Sequence, residues 1–343
     1  MAQASMKCPV YTANLYTADG KKYRLKGITT DLTIGTSKDE LAEKVSITFA
    51  NVMVGGKKFH NYIALRNKIY VYANTGNGAK EVFRGIVWQR DFQETSDVRE
   101  ITLICYDRLI YLQNCKDNLY VKKGSRTDSV IKNLAKKWGV KIRYNYRSIS
   151  HGKLVYRSEM ISDIIISLLK KVKKKTGKGY AIRCEKGVMI IEEEAKNSTV
   201  YKIESKDNSI STNYSETMDD MVTKVKIVKA ETKKTKKYGE KETGKYTTVA
   251  NVKGNTKKYG TMQDIVEKGS DEKMSEAKKE AKQILNEKGK PNKEISVTAV
   301  DNPWIQKGHK VYINSGTLKN NYIVKGIEHD AATHTMTLEV KKA

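Results

Sequence analysis

The sequence predicts a mainly β protein with α+β insertions. Short stretches of period-two alternation, rich in β-branched and aromatic residues, recur through residues 1–112. Helical periodicity is confined to a few later segments. The chain then returns to apolar–polar alternation over Asn302–Val340, which carries no obvious catalytic constellation. A strand-rich ending without chemistry suggests a protein that builds an assembly.

Residues 1–112 form the first predicted domain, which consists of strands. Turn signals separate the strands at Asp19-Gly20, at Gly55-Gly56 and between Asn74 and Gly78. Several short strands at this spacing are typical of a sandwich or a barrel. The predicted strands lie in YTANLYT, KKYRLKG, LTIGTS, KVSITFAN, KIYVYAN, EVFRGIVWQRDF and REITLICYDRLIYL.

Residues 113–205 are predicted to form a small α+β domain that begins with a helix. Ser125 is a candidate N-cap, with Asp128 three residues later in the manner of a capping box. Gly139 is placed to end this helix. One apolar face is shared by Val130, Ile131, Leu134 and Trp138.

A second helix is predicted over ISDIIISLLKKVKKKTGK, with Ser162 as its cap and Gly177 as its stop. Its lysine-rich last turn suits the negative end of the helix dipole. The segments YAIRCEK and VMIIEEE flank Gly187 and predict a hairpin. The apolar stripe of the helix consists of Ile165, Leu168, Leu169 and Val172.

A second β domain is predicted from residues 206–230 together with 293–343. The segment 231–292 interrupts it as a lysine-rich insertion that contains one helix. Residues 231–260 read as a solvated hairpin or a loop, and a strand is predicted at KYTTVANV. The helix is expected to start near Ser270 and to stop at Gly289. Its predicted buried face consists of Met274, Ala277, Ala281, Ile284 and Leu285.

The chain is strongly basic, with 65 Lys and Arg against 39 Asp and Glu, a formal net charge of +26. Such a surplus implies an anionic partner, or a surface kept soluble by repulsion. A basic nucleic-acid-binding protein is therefore one alternative function. The basic residues are scattered and alternate with acidic ones, which favours an ordinary solvated surface and no specific nucleic acid.

The cysteines and apolar runs exclude several classes of protein. The four cysteines, at positions 8, 105, 115 and 184, form no C-x-x-C pair, so zinc ribbons and thioredoxin-like sites are not supported. The first residues lack the apolar region of a signal peptide. No run approaches eighteen apolar residues, so no membrane span is expected.

Nucleotide and acyl-transfer motifs are absent from the sequence. There is no G-x-x-x-x-G-K-[ST] loop, no G-x-G-x-x-G between a strand and a helix, and no G-x-S-x-G elbow. Lys178 follows Gly177, but it leads into a predicted strand, whereas a P-loop lysine leads into a helix. No catalytic or cofactor-binding residue is predicted, and no cofactor.

Two clusters of titratable residues are candidate sites, one for a metal ion and one for acid catalysis. His329 and His334 flank a turn beside Asp330, but a metal site needs three or four convergent ligands, and the other histidines are remote. We therefore predict no metal ligand and favour a polar turn. The run Glu192–Glu194 is predicted to be a solvated edge among lysines. A cell-wall hydrolase that uses a lone glutamate as its lytic acid stays open as an alternative, although nothing in the sequence singles one out.

Aromatic and basic residues interleave in KKYRLKG and KIRYNYR. This pattern could stack bases and neutralise phosphates. Alternation on a half-exposed strand produces the same pattern without any ligand, and we favour that interpretation.

The order of these parts resembles the baseplate or tail hub proteins of contractile-tailed phages and phage-like particles. The likeness is to hubs of PBSX-type phage-like elements and R-type bacteriocins, in the group of the late control protein D family. The stretches that carry it are FRGIVWQRDF, REITLICYDRLIYLQN, LYVKKGSRTDSVIKNLAKKWGV, YSETMDDMVTKVKIV, YGTMQDIVEKG, NPWIQKGHKVYI and YIVKGIEHDAATHTMTLEV.

The resemblance implies two tail-tube-like β-barrel domains in each chain and a homotrimer. Three such chains would form a pseudo-sixfold ring that joins a sixfold tail tube to a central spike. The implied partners are the tail tube, tape measure, spike, baseplate wedge and LysM-bearing tail proteins. The implied location is the particle tail, assembled in the host cytoplasm, and the implied protein is structural, with no enzymatic activity. We expect the lysines to lie on outer surfaces or in residues 231–260.

Overall fold

The structure is a computed structural model that describes residues 8–38, 40–95, 99–235, 239–268 and 273–343. The chain forms two compact units, one made of residues 1–213 with 295–343 and the other of residues 214–294. No helix in the described residues combines the length and apolar character needed to cross a membrane.

The first part of the chain is built of strands, as predicted. Alternation sets which side chains are buried: in KVSITFA the side chains of Val45, Ile47 and Phe49 enter the core while their neighbours are half-buried. A 3₁₀ helix covers Phe59–Tyr62. The strands are β1 (Val10–Tyr16), β2 (Lys22–Arg24), β3 (Thr29–Thr36), β4 (Lys44–Ala50), β5 (Met53–Val54), β6 (Lys57–Lys58), β7 (Lys68–Asn74), β8 (Ala79–Glu94) and β9 (Arg99–Tyr106).

A mixed α and β segment follows, with a hydrophobic core of its own. Strand β10 pairs with β12, and β14 lies between β11 and β13. The predicted stops at Gly139 and Gly177 are confirmed, since both residues have positive φ. The elements are α1 (Ile110–Asn114), β10 (Lys116–Val121), α2 (Thr127–Lys137), β11 (Lys141–Asn145), β12 (Leu154–Met160), α3 (Ile161–Thr176), β13 (Tyr180–Glu185) and β14 (Val188–Glu193).

Both predicted serine caps are wrong. Helix α2 begins at Thr127, because the backbone of Ser125 is held in a turn by hydrogen bonds with Lys122 and His151. Helix α3 begins at Ile161, directly after β12, so Ser162 lies buried in its first turn. The N-cap is the residue directly before the helix, and that position is occupied by Arg126 in α2 and by Met160 in α3.

Two strands, β15 (Tyr201–Glu204) and β16 (Ser209–Thr217), lead from this segment towards the second unit. That unit contains a three-stranded sheet. Residues 224–230 belong to the first strand of this sheet, whereas the sequence analysis assigned them to the second β domain. The predicted strand at KYTTVANV is confirmed, and Ser270 lies outside the described residues. The elements are β17 (Lys224–Thr235), β18 (Gly239–Lys253), α4 (Thr256–Tyr259), β19 (Gln263–Glu267) and α5 (Met274–Lys288).

The chain ends in β20 (Asn292–Val300), β21 (Lys310–Ser315), β22 (Leu318–Asp330) and β23 (Thr335–Lys342). One thirteen-stranded sheet runs in the order β16-β20-β23-β22-β3-β4-β9-β8-β7-β1-β2, with β21 paired to β22 and β15 paired to β21. The mainly β prediction is therefore confirmed. Strand pairing among the described residues follows an open path and closes no barrel.

Candidate assembly surface

The large sheet contains the same arrangement of strands twice. The first sheet half has the spatial order β1-β7-β8-β9-β4-β3, and the second sheet half has β15-β21-β22-β23-β20-β16. Strands taken pairwise from these two orders also follow each other in the same order along the chain. Each half has its own hydrophobic core. One difference is that β1 is antiparallel to β7 whereas β15 is parallel to β21.

Individual hydrogen bonds repeat as well. In the first sheet half, Val87 donates to Asn67 and accepts from Arg66. In the second, Val324 donates to His309 and accepts from Gly308. This pattern fixes Val87 and Val324 as equivalent positions.

Irregularities of the two halves coincide with this equivalence. The pairing of β8 with β9 shifts register between Val87 and Gln89, and that of β22 with β23 shifts between Val324 and Gly326. A β-bulge is a specific local feature. Two bulges at equivalent positions therefore support a structural repeat between the two sheet halves. Arg90–Gln93 of β8 therefore correspond to Ile327–Asp330 of β22.

The two sheet halves are joined where β3 pairs with β22. Four residue pairs make this junction, from Ile327 opposite Thr36 to Asp330 opposite Thr33. Gly35 is part of it, and a Cβ atom at that position would lie 2.8 Å from the carbonyl oxygen of Ile327. The junction therefore depends on close backbone approach that only glycine permits.

A buried polar cluster stands beside the junction. The hydroxyl of Tyr11 donates to Asp301 Oδ2 at 2.6 Å, and Nδ1 of His329 lies 2.6 Å from Asp301 Oδ1. Asp301 is fully buried and His329 is 6% exposed. Burial, followed by the charge of Asp301, raises the pKa of Tyr11 well above its ordinary value. The cluster links β1, β22 and the segment after β20.

His329 and His334, the two histidines considered as metal ligands, do not point to a common site. His329 is turned inwards to Asp301, whereas His334 lies in the turn after β22 with a positive φ of 53°. Within the described part of the chain, no group of three or more His, Cys, Asp or Glu residues could hold a metal ion.

The Glu192–Glu194 run is ion-paired, and the prediction of a solvated edge is wrong for its last member. The Glu194 side chain is only 6% exposed and lies 3.0 Å from Lys325 Nζ and 2.7 Å from Lys341 Nζ. Burial alone would raise the pKa of Glu194, but the two lysines outweigh it and hold that pKa below its ordinary value. Glu194 thereby ties the end of the α and β segment to β22 and β23.

Tyrosine rings of the stretches KKYRLKG and KIRYNYR pack against other parts of the fold. Tyr23 packs against Phe59 and Tyr62, and the buried Tyr146 donates its hydroxyl to the carbonyl of Lys178. These rings offer no row of exposed faces on which bases could stack.

Two acidic residues, Glu43 and Asp107, lie together beside a small cavity. The amides of Glu43 and Leu109 donate to the carboxylate of Asp107 at 3.0 and 2.7 Å. Burial raises the pKa of Asp107 to about 7, and burial followed by the charge of Asp107 raises that of Glu43. Both residues line a cavity of about 30 Å³. Ligand pockets are typically about ten times larger, so this cavity is too small for a sugar or a nucleotide.

This acidic pair predicts a pH dependence of stability. A carboxyl with a raised folded-state pKa keeps its proton in the folded chain and loses it in the unfolded chain, so the contribution of this pair to the free energy of unfolding falls as pH rises from about 4 to about 7. The Asp107 contribution amounts to at most about 1.4 kcal/mol per pH unit. Denaturant titrations should show this fall flattened in Asp107→Asn. The same dependence in Asp107→Asn and in the exposed control Asp31→Asn would contradict the assignment.

Sequence reasoning missed Asp301, Glu43 and Asp107. Each is a single acidic residue next to an apolar strand, and nothing in the local pattern separates it from a solvated turn residue. Only the pairing of distant strands brings Tyr11 to Asp301, 290 positions away.

Comparisons with known proteins agree with this architecture. Residues 32–341 match the model of the YQBQ-like family. The uncharacterized protein YqbQ of Bacillus subtilis (strain 168) is 29% identical over 273 residues, which cover 76% of this chain and 78% of that protein. The phage-like element PBSX protein XkdQ of the same strain is 28% identical over 268 residues, with the same two coverages.

A solved structure shares the fold along nearly the whole chain. The tail protein from Neisseria meningitidis MC58 superposes with a TM-score of 0.68 at 15% identity, and the match covers 97% of both chains. The fold is therefore that of a tail protein. Together with the PBSX relative, this match confirms the resemblance to tail and baseplate proteins of phages and phage-like particles that the sequence suggested.

Proposed function

This chain belongs to the YQBQ-like family, and from that premise we propose that it is the structural hub of a contractile-tail baseplate. In this proposal three copies form a pseudo-sixfold ring that joins the tail tube to the central spike. The observation that carries the proposal is the repeated six-strand order of the two sheet halves. The fold of a tail protein and the PBSX relative support the setting.

The physical reason is symmetry matching. A threefold assembly whose chains each contribute two similar sheet modules offers six similar edges to a sixfold neighbour. We propose that the two sheet halves are the two tail-tube-like β-barrel domains. Their strands lie within residues 10–106 and within residues 201–217 and 292–342. Their closure into barrels would be completed in the assembled ring.

The partners follow from this position in a tail. We propose contacts with the tail tube, tape measure, spike, baseplate wedge and LysM-bearing tail proteins. The location is the tail of a virion or phage-like particle, with assembly in the host cytoplasm. We also propose that the chain is not an enzyme, since Asp301 serves a strand junction, Glu194 serves an ion pair, the cavity beside Asp107 and Glu43 is small, and its relative XkdQ belongs to a phage-like element.

The composition of purified tails tests the proposal. Quantitative mass spectrometry of tails from the producing strain should detect about three copies of this chain per particle, as a threefold hub requires. The tail tube protein in the same sample supplies the internal standard, at a multiple of six copies. A chain that is absent from particles, or present at six copies or more, would contradict the hub assignment.

A further inference from the structure

Among the residues that the structure describes, no strand pairs with one edge of the C-terminal half of β8. Strand β8 pairs with β7 only through Ile86 and with β9 through Glu94. From Arg90 to Gln93 its other edge carries no strand among the described residues. The equivalent edge of β22, Ile327–Asp330, is covered by β3.

Equivalent side chains of the covered and the uncovered edge differ in their exposure. His329 of the covered edge is 6% exposed, whereas its counterpart Phe92 is 43% exposed. Phe92 also contacts the ring of His60, at 5.1 Å between ring centroids, and its exposed part is the surface that a covering strand would bury.

A matching open strand lies at the other end of the second sheet half. Strand β16 occupies the place that β3 has in the first half, and it ends the strand order of the large sheet. A repeated hydrogen bond supports this equivalence, since Ala50 donates to Ile28 before β3 and Val300 donates to Asn208 before β16. Ile210 and Tyr214 of β16 are exposed.

Neither edge carries a lysine, although Arg90 and Asp91 are charged residues of the β8 edge and Glu216 is a charged residue of β16. Natural edge strands are commonly blunted by charged residues, above all lysine. This chain has 65 Lys and Arg, yet β16 reads SISTNYSET and contains neither, and Arg90 is the single basic residue of Trp88–Glu94. The net charge of the chain therefore does not oppose contact between these two edges.

From this geometry we infer that β16 of one copy pairs antiparallel with Arg90–Gln93 of β8 in a second copy, as β3 pairs with β22 within the chain. The inference rests on the proposed function. A head-to-tail contact gives a closed ring only when the rotation from one copy to the next closes it, as the proposed threefold hub requires. Strand addition of this kind satisfies the open main-chain groups of both edges.

The internal junction gives the expected register. Ala331 donates to Leu32 at 2.9 Å, so by the alternation of antiparallel pairs Asp330 and Thr33 form a non-hydrogen-bonded pair. Such pairs have Cα atoms about 4.5 Å apart, which suits a disulfide. Gln93 is the counterpart of Asp330. The counterpart of Thr33 is Thr212 or Asn213, depending on whether β16 repeats the bulge between Thr29 and Asp31.

Disulfide trapping in the full-length protein tests the inference. Gln93→Cys is combined with Thr212→Cys or with Asn213→Cys in a Cys8→Ser background, since Cys8 is the exposed native cysteine. After mild oxidation, one of the two pairs should give a ladder of two- and three-chain species on non-reducing gels, with most chains in the three-chain species. The pair Thr33→Cys with Asp330→Cys is the matched control, and it should close within one chain without a change in mass.

Mass measurement in solution separates the two ways of failing. A trimer in which neither pair cross-links, while the control pair closes, overturns the strand contact and leaves the hub proposal standing. A chain that stays monomeric at every concentration and does not cross-link overturns both.

Discussion

Replacing Gly35 with valine is expected to separate the two sheet halves. A Cβ atom at this position would lie 2.8 Å from the Ile327 carbonyl oxygen and 3.2 Å from the Glu328 Cα atom. Both are backbone atoms, so relief requires β3 to move away from β22. We expect Gly35→Val to lower the free energy of unfolding by about 3 kcal/mol, at the upper end of overpacking costs. Denaturant titration of the purified protein measures this loss.

Thr33→Val is the matched control for that substitution. It lies on the same strand, two residues away, and adds no atom next to the backbone of β22. We expect it to change the free energy of unfolding by less than about 1 kcal/mol, because the half-buried Thr33 side chain is replaced by one of the same shape that creates neither a cavity nor a clash. Equal stability of Gly35→Val and the wild type would show that the junction tolerates separation, contrary to the packing described here.

Removing the carboxylate of Asp301 is expected to have the largest effect. In Asp301→Ala the Tyr11 hydroxyl and the His329 ring lose the acceptor that each contacts at 2.6 Å, inside the core. Each buried polar group left without a partner costs about 1–3 kcal/mol, so the two groups together cost about 2–6 kcal/mol. We expect Asp301→Ala to reduce the free energy of unfolding by that amount.

Asp301→Asn distinguishes hydrogen bonding from packing at this position. Its amide oxygen can accept from one of the two donors, so the expected loss is about half that of Asp301→Ala. Comparable and small losses in both variants, below about 1 kcal/mol, would mean that the cluster is accessible to water and contributes little.

The sequence predicted the strand and helix content because those features depend on local patterns. The alternation in KVSITFA depends on adjacent residues of one strand. The apolar stripe of ISDIIISLLKKV depends on residues within one or two helical turns. The stops at Gly139 and Gly177 were predictable for the same reason, since positive φ favours glycine. The serine caps failed where a turn or a preceding strand, fixed by distant contacts, decided the helix start.

The junction between the sheet halves was not predictable in this way. The pairing of β3 with β22 joins residues about three hundred positions apart, and no local signal marks Gly35 or Asp301 as its partners. The strand order along the two halves matches although their hairpins differ in length and sequence. The equivalence of the two sheet halves is shown by repeated hydrogen bonds such as those of Val87 and Val324, which no local sequence pattern marks.

Electron microscopy of the purified full-length protein tests the central claim most directly. If two similar sheet halves per chain let three copies act as a six-membered collar, class averages should show a closed ring with threefold symmetry, a central opening and six similar lobes. Particles of one chain, or closed rings with six copies and twelve lobes, would contradict the account.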